Sequence, residues 1–250
     1  MYSALHPTIR ATLFTGQYAS RHKSTRLKAP IFYDSWYNIS WPALLQKAGY
    51  YVGHIGKWQF RNDNRTVESF FNYSALFEGQ HWFGSTSAAD KARDYAIHFL
   101  KEDRPKDRPF ALTVAFYPPK AVGESYEPGA QWKPKPETRA KYYDNVTIPE
   151  PPYDINASYN KLPWFFQKNK NEGQNRWRQR YNGTERYQEA MKNYYSLITE
   201  VDIACREIVE ELERQDLLND TMIIFTTDNG VSTMGMHTNP FAYSNSKTLP

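Results

Sequence analysis

Apolar positions change their period several times along the chain, and each change marks an element. After Ser40, the run Trp41, Pro42, Ala43, Leu44, Leu45 reads as a short helix. Ser40 is a natural N-cap, Pro42 suits the first turn, and Gly49 closes the segment before the strand-like Tyr50, Tyr51 and Val52. From Ala88 to Lys101, the residues Ala92, Ala96, Phe99 and Leu100 share a helical face. Pro109 then admits a strand over Phe110–Phe116, which Pro118 and Pro119 end. The longest periodic stretch runs from Tyr187 to Leu217, with Met191, Tyr194, Ile198, Val201, Cys205, Ile208 and Leu212 on one predicted stripe. Its successor, Met222, Ile223, Ile224 and Phe225, is a short apolar run of the kind found in buried parallel strands.

This order predicts an α/β domain with right-handed crossovers and a sheet covered on both faces. Between Ala121 and Gly183 the regularity is lost to Pro, Asn, Lys and Tyr, so an elaborated surface lobe near a binding site is expected there.

Composition narrows the class. The 250 residues suffice for one large domain, and a 40% apolar, 23% charged chain is neither a polyelectrolyte nor a membrane protein. No run approaches the roughly 18 apolar residues of a spanning helix. With 31 basic against 27 acidic residues intermixed, a net charge of +4 gives no case for a nucleic-acid partner. The single Cys205 excludes an internal disulfide and a cysteine zinc cluster. Oligomeric state is not legible. The start, Met1-Tyr2-Ser3, has no secretion signal, yet Asn-x-Ser/Thr sequons occur at Asn38, Asn64, Asn72, Asn145, Asn156, Asn182 and Asn219. Chance predicts roughly two. The excess implies a glycosylated protein of the secreted or lysosomal route whose start has been lost.

Ligands of open α/β sheets sit beyond the carboxyl ends of the strands. Those positions hold Gly56-Lys57-Trp58-Gln59, Pro118-Pro119-Lys120 and Thr227-Asp228-Asn229-Gly230, which would share one rim. Ammonium groups suit sulfate or phosphate oxygens, and carboxylate and amide oxygens suit a hard cation. Each piece alone also reads as an ordinary turn or a solvated lysine.

A fourth segment joins them. His6-Pro7-Thr8-Ile9-Arg10-Ala11-Thr12-Leu13-Phe14-Thr15-Gly16 resembles the signature of the type I sulfatases, in which a Cys or Ser stands four residues before an Arg and a short helix ends in Thr-Gly. With Gly56-Lys57-Trp58, the long helix and the terminal Asp228-Asn229-Gly230, the resemblance covers nearly the whole chain. It implies an alkaline phosphatase-like fold, three layers α/β/α with a mostly parallel sheet, incomplete here. It implies hydrolysis of a sulfate ester of a glycan or small molecule. In the family the Cys or Ser becomes formylglycine, whose hydrate attacks sulfur. The resemblance places Arg10 beside that group, Lys57 on a sulfate oxygen, Lys120 where the family commonly has His, and calcium on Asp228 and Asn229. Lys247 plausibly matches a further substrate lysine, and His237 a Gly-x-His segment on the substrate side.

The departures are as definite as the matches. His6 occupies the formylglycine position and cannot be converted. Gln59 stands where a His is common and cannot donate a proton to a leaving group, and Lys120 needs a lowered pKa to act near neutral pH. Thr8 and Ser3 lie out of the nucleophile's register. The family's first strand, with an Asp-Asp pair for the metal, should precede His6, so a fragment is expected, the rival being a degenerate homologue. Two other functions stay open: a non-catalytic binder of sulfated or phosphorylated carbohydrate, and a phosphoester hydrolase of the same superfamily. His54 is expected to be packed, His98 to face solvent, and the aromatic residues of the lobe either to stack on sugar or to build core.

Overall fold

The computed structural model describes residues 6–23, 31–62, 67–123, 125–150, 160–161, 163–164, 167 and 172–227. Its centre is a parallel sheet of β1 (Tyr51–Gly56), β2 (Tyr73–Leu76) and, beyond the β3 (Trp82–Phe83) and β4 (Thr86–Ser87) hairpin, β5 (Phe110–Ala115), in the order β2-β1-β5. Gly56 pairs with Leu76 on one side and Ala115 on the other, so the three strands end at one rim.

Side chains alternate across β1 and divide the core in two. Val52 faces Phe14 and Ala11 of α1 (His6–Thr15), in a cluster that also holds Phe32, Trp36, Trp58, Phe60, Phe70 and Phe71. Helix α2 (Trp41–Lys47) flanks it, with Leu45 and Trp41 against the same cluster. Ile55 faces the opposite side, where Ala92 and Ala96 of α3 (Ala88–His98) and Ile208 of the long helix pack. Gly53 lies on this second face, and a Cβ there would stand 2.8 Å from Phe99. The glycine lets that ring lie against the sheet. Helices therefore cover both faces, as the alternation predicts.

Local signals set the helix ends. The Ser87 hydroxyl accepts the Asp90 amide hydrogen at 3.1 Å and caps α3, and Gly49, at φ +93°, ends α2 in the left-handed region. After His98 the coil widens into a π turn over Phe99–Asp103.

Within the expected lobe are α4 (Pro136–Tyr142) and α5 (Glu172–Arg180). Trp132, Ile148, Trp177 and Tyr181 are buried against Tyr187, Ala190, Met191 and Leu197 of α6 (Thr184–Arg214). These lobe aromatics form core. The buried side of α6 keeps Met191 and Leu212 of the predicted stripe, with Tyr194 and Ile208 packed beside core clusters, but it also takes in Ala190, Leu197, Ala204 and Glu211 at seven-residue intervals, while Ile198 is 39% exposed. Cys205 is half-buried, and burial pushes its thiol pKa up.

A second expectation fails at Met222–Phe225. Residues 221–227 form no strand, and Met222 and Phe225 are each 85% exposed. A parallel strand exists only through a ladder with a neighbour, and among the described residues β5 pairs with β1 alone. No helix among the described residues is long and apolar enough to cross a membrane.

Candidate active site

Gly56 ends β1 at φ +88°, a backbone state in which a Cβ would run into the Ala115 carbonyl. The turn it permits sends Lys57 across the strand end, where the Lys57 amide donates to Ala115 O at 3.0 Å. Two side chains then seize the Lys57 carbonyl. Arg10, one turn into α1, donates to it through Nη2, and His54 from β1 donates through Nε2 at 3.1 Å. Because a carbonyl can only accept, Nε2 carries a proton, and a pKa lowered by burial leaves the His54 ring neutral near pH 7.

Burial explains why it stays neutral. His54 is fully enclosed, stacked on Phe71 with ring centres 4.9 Å apart and edge-on to Trp58. Loss of hydration first and the Arg10 charge second, opposed by the bond to the Lys57 carbonyl, together lower its pKa to about 3. Nδ1 has no hydrogen-bond partner among the described residues. The expected packed role of His54 therefore holds, with the addition that the ring fixes the Lys57 backbone.

Arg10 and Lys57 are both buried, at 7% and 4% exposed. Gln59, two residues on, sits at φ +66°, a costly conformation for a residue with a Cβ, and its buried Oε1 lacks a partner among the described residues.

Lys120 reaches the same rim from the neighbouring strand. After β5 the chain passes through Tyr117 and the cis Pro118–Pro119 bond to Lys120, whose exposed ammonium lies 5.6 Å from the centre of the Tyr117 ring. His6 begins α1 one turn before Arg10; its side chain lies outside the described residues, as do Asp228, Asn229, His237, Lys247 and Ser3. Thr8 is buried in α1. The structure thus brings Arg10, Lys57 and Lys120 to one end of the sheet.

Asp228 and Asn229 offer donor types that calcium accepts, but fewer than the roughly six to eight oxygens it needs. Among the described residues no group of three or more His, Cys, Asp or Glu stands ready to hold a metal.

Three partners eluded the sequence. His81 is buried between the backbones of Lys120 and Lys133. His22 is buried against Trp36, with Nε2 3.0 Å from the Thr12 hydroxyl. Glu200, 2% exposed on α6, accepts the Lys135 amide hydrogen at 2.5 Å. Histidine or glutamate beside apolar residues was the available signal, but their partners are backbone groups far away in sequence. His98, as expected, is exposed and lies 3.4 Å from Asp103.

Comparison with known proteins gives this rim a family. A model described as Sulfatase matches residues 6–249. An N-acetylglucosamine-6-O-sulfatase of Bacteroides thetaiotaomicron is 23% identical over 99% of this chain and 54% of its own length. An extracellular sulfatase SULF-1 homolog of Drosophila melanogaster is 23% identical over 96% of this chain and 22% of its own. The chain thus spans about half, or less, of the length of these relatives. Among solved structures, BT4656 in complex with its substrate D-glucosamine-2-N,6-O-disulfate superposes with a TM-score of 0.64 at 21% identity, covering 92% of this chain and 56% of that one. A putative sulfatase, yidJ, of Bacteroides fragilis gives 0.62 at 18% identity, over 96% and 54%. The family model spans almost the whole sequence, and the layered parallel sheet agrees with the solved sulfatase structures: the chain belongs to the sulfatases.

Proposed function

We propose that this chain is part of a sulfatase that hydrolyses the sulfate ester of a sulfated sugar. The observation that carries the reading is the convergence of Arg10 and His54 on the Lys57 carbonyl, at the rim that also presents Lys120. A sulfate ester carries one negative charge spread over three oxygens, and fixed cations in a partly dry site stabilise it as charge shifts toward the leaving oxygen. Hydrolysis adds a water oxygen to sulfur, breaks the ester S–O bond and returns a proton to the sugar oxygen. Lys57 and Arg10 bind the sulfuryl oxygens in this scheme, and Lys120 faces the leaving group. The sugar follows from the glycan sulfatases among the relatives.

His6 favours a second reading. An imidazole cannot supply an aldehyde hydrate, so a chain with this residue could hold a sulfated sugar without turning it over. Calorimetric titration with D-glucosamine 6-sulfate and with D-glucosamine, alongside 4-nitrophenyl sulfate turnover, separates the two. Preferential binding of the sulfated sugar, lost in Lys57→Ala together with turnover, supports the hydrolase; such binding without turnover supports the binder. Equal affinity for both sugars sinks both. Faster release of 4-nitrophenol from the phosphate than from the sulfate would move the chain to the phosphoester branch.

Calcium belongs to the proposal through Asp228 and Asn229, supplying positive charge at the sulfate when bound. Passage through the secretory route belongs there too. Five sequon asparagines, Asn38, Asn72, Asn145, Asn182 and Asn219, lie among the described residues, and all five are exposed. A mass loss on treatment of the secreted protein with an N-glycosidase tests that route.

A further inference from the structure

The turn that carries Lys120 is held by side chains with no part in the chemistry above. His81 stands at the entry to the β3–β4 hairpin and is 2% exposed. Its Nδ1 lies 3.1 Å from the Lys133 amide nitrogen, and its Nε2 lies 2.8 Å from the Lys120 carbonyl oxygen. A backbone amide can only donate, so Nδ1 holds the lone pair and Nε2 holds the proton. His81 is thereby fixed as one neutral tautomer that donates to Lys120.

The neighbouring contacts make the ring part of a brace. Trp132 Nε1 donates to the Pro119 carbonyl at 3.0 Å, and Trp82 Nε1 donates to the Lys133 carbonyl at 2.8 Å. The Val122 amide donates to Gln131 O at 2.9 Å. Residues 131–133 therefore grip the end of the β5 turn from outside, and His81 is the side chain that bonds both to the grip and to Lys120 itself. Protonation would place an N–H against the Lys133 N–H, and burial lowers the ring's pKa accordingly.

We propose that His81 is a positioning residue for Lys120: by holding the Lys120 carbonyl it sets where the ammonium meets the sulfate ester. The proposal rests on the reading of Lys120 as an anion-site residue. Its partners also make it separable from plain packing. The amide of Asn reaches the level of Nδ1, and that of Gln reaches the level of Nε2. His81→Asn keeps the bond to Lys133 and drops the bond to Lys120, whereas His81→Gln does the opposite.

The test is calorimetric binding of D-glucosamine 6-sulfate to wild type and both variants, with thermal midpoints recorded in parallel. One lost hydrogen bond at the site corresponds to about a tenfold weaker Kd for His81→Asn, with His81→Gln within about twofold of wild type. Equal weakening in the two variants, or none in either, overturns the positioning role. A long-range proton–nitrogen spectrum of the wild type is expected to show His81 protonated at Nε2 alone at pH 7; a proton on Nδ1 overturns the proposal. Wild type that does not bind the sulfated sugar defeats the proposed function and this inference with it, while wild-type binding with unchanged His81→Asn affinity defeats only the inference.

Discussion

Glu200 gives the sharpest test of the energetics. Its carboxyl is buried on α6, where it accepts the Lys135 amide hydrogen at the start of α4. Desolvation pushes its pKa up to about 7 from 4.5; the Lys135 bond and ammonium oppose the rise, and Asp90 and Glu137 add to it. A carboxyl with a raised folded pKa takes up a proton on folding, so its stabilising contribution is complete below the unfolded value and is lost as pH rises through about 7. Each pH unit between the two values is worth about 1.4 kcal/mol, and from pH 5 to pH 8 the loss comes to about 2 kcal/mol. Glu200→Gln keeps an oxygen for the Lys135 N–H and removes the ionisation. Urea unfolding of both proteins, followed by tryptophan fluorescence, should show Glu200→Gln gaining about 2 kcal/mol on wild type between those pH values. Taking the difference cancels the histidines, whose slopes have the opposite sign. Parallel curves would refute the reasoning.

The other expectations are briefer. His54 should stay unprotonated in the folded protein down to about pH 3; since the unfolded ring protonates near 6.5, stability falls below that pH by about 1.4 kcal/mol per unit, and an NMR midpoint near 6.5 in the native state would contradict the burial argument. Gly56→Ala should cost more than about 2 kcal/mol, because strain at positive φ and collision with the Ala115 carbonyl act together; a thermal midpoint within a degree or two of wild type would count against it. Trp132→Phe keeps most of the ring but loses the bond to Pro119 O, so about 1 kcal/mol of stability should go in denaturant titrations.

Much of the scaffold was legible because its signals are local. Ser40, Pro42 and Gly49 bound a helix that forms where they predict it, and Gly56-Lys57-Trp58 marks the strand end that becomes the rim. What was missed depends on partners distant in sequence. The stripe chosen on α6 weighted large apolar residues, but the helix turns Ala190 and Ala204 inward, and alanine gives almost no hydrophobic signal. Met222–Phe225 has the composition of a buried strand, yet whether such a run joins a sheet depends on a neighbour that its own sequence does not contain. The roles of His81 and Glu200 were invisible for the same reason: both bind main-chain groups, which carry no residue identity.

Taken together, the outer edge of β5 and the exposed run Met222–Phe225 have a practical consequence. The edge leaves backbone donors and acceptors without ladder partners among the described residues, and the run is uncharged and apolar. Both are templates for strand addition between molecules. Ile224→Lys, which puts a charge into that run, is expected to lower self-association in concentrated solution, as read by light scattering.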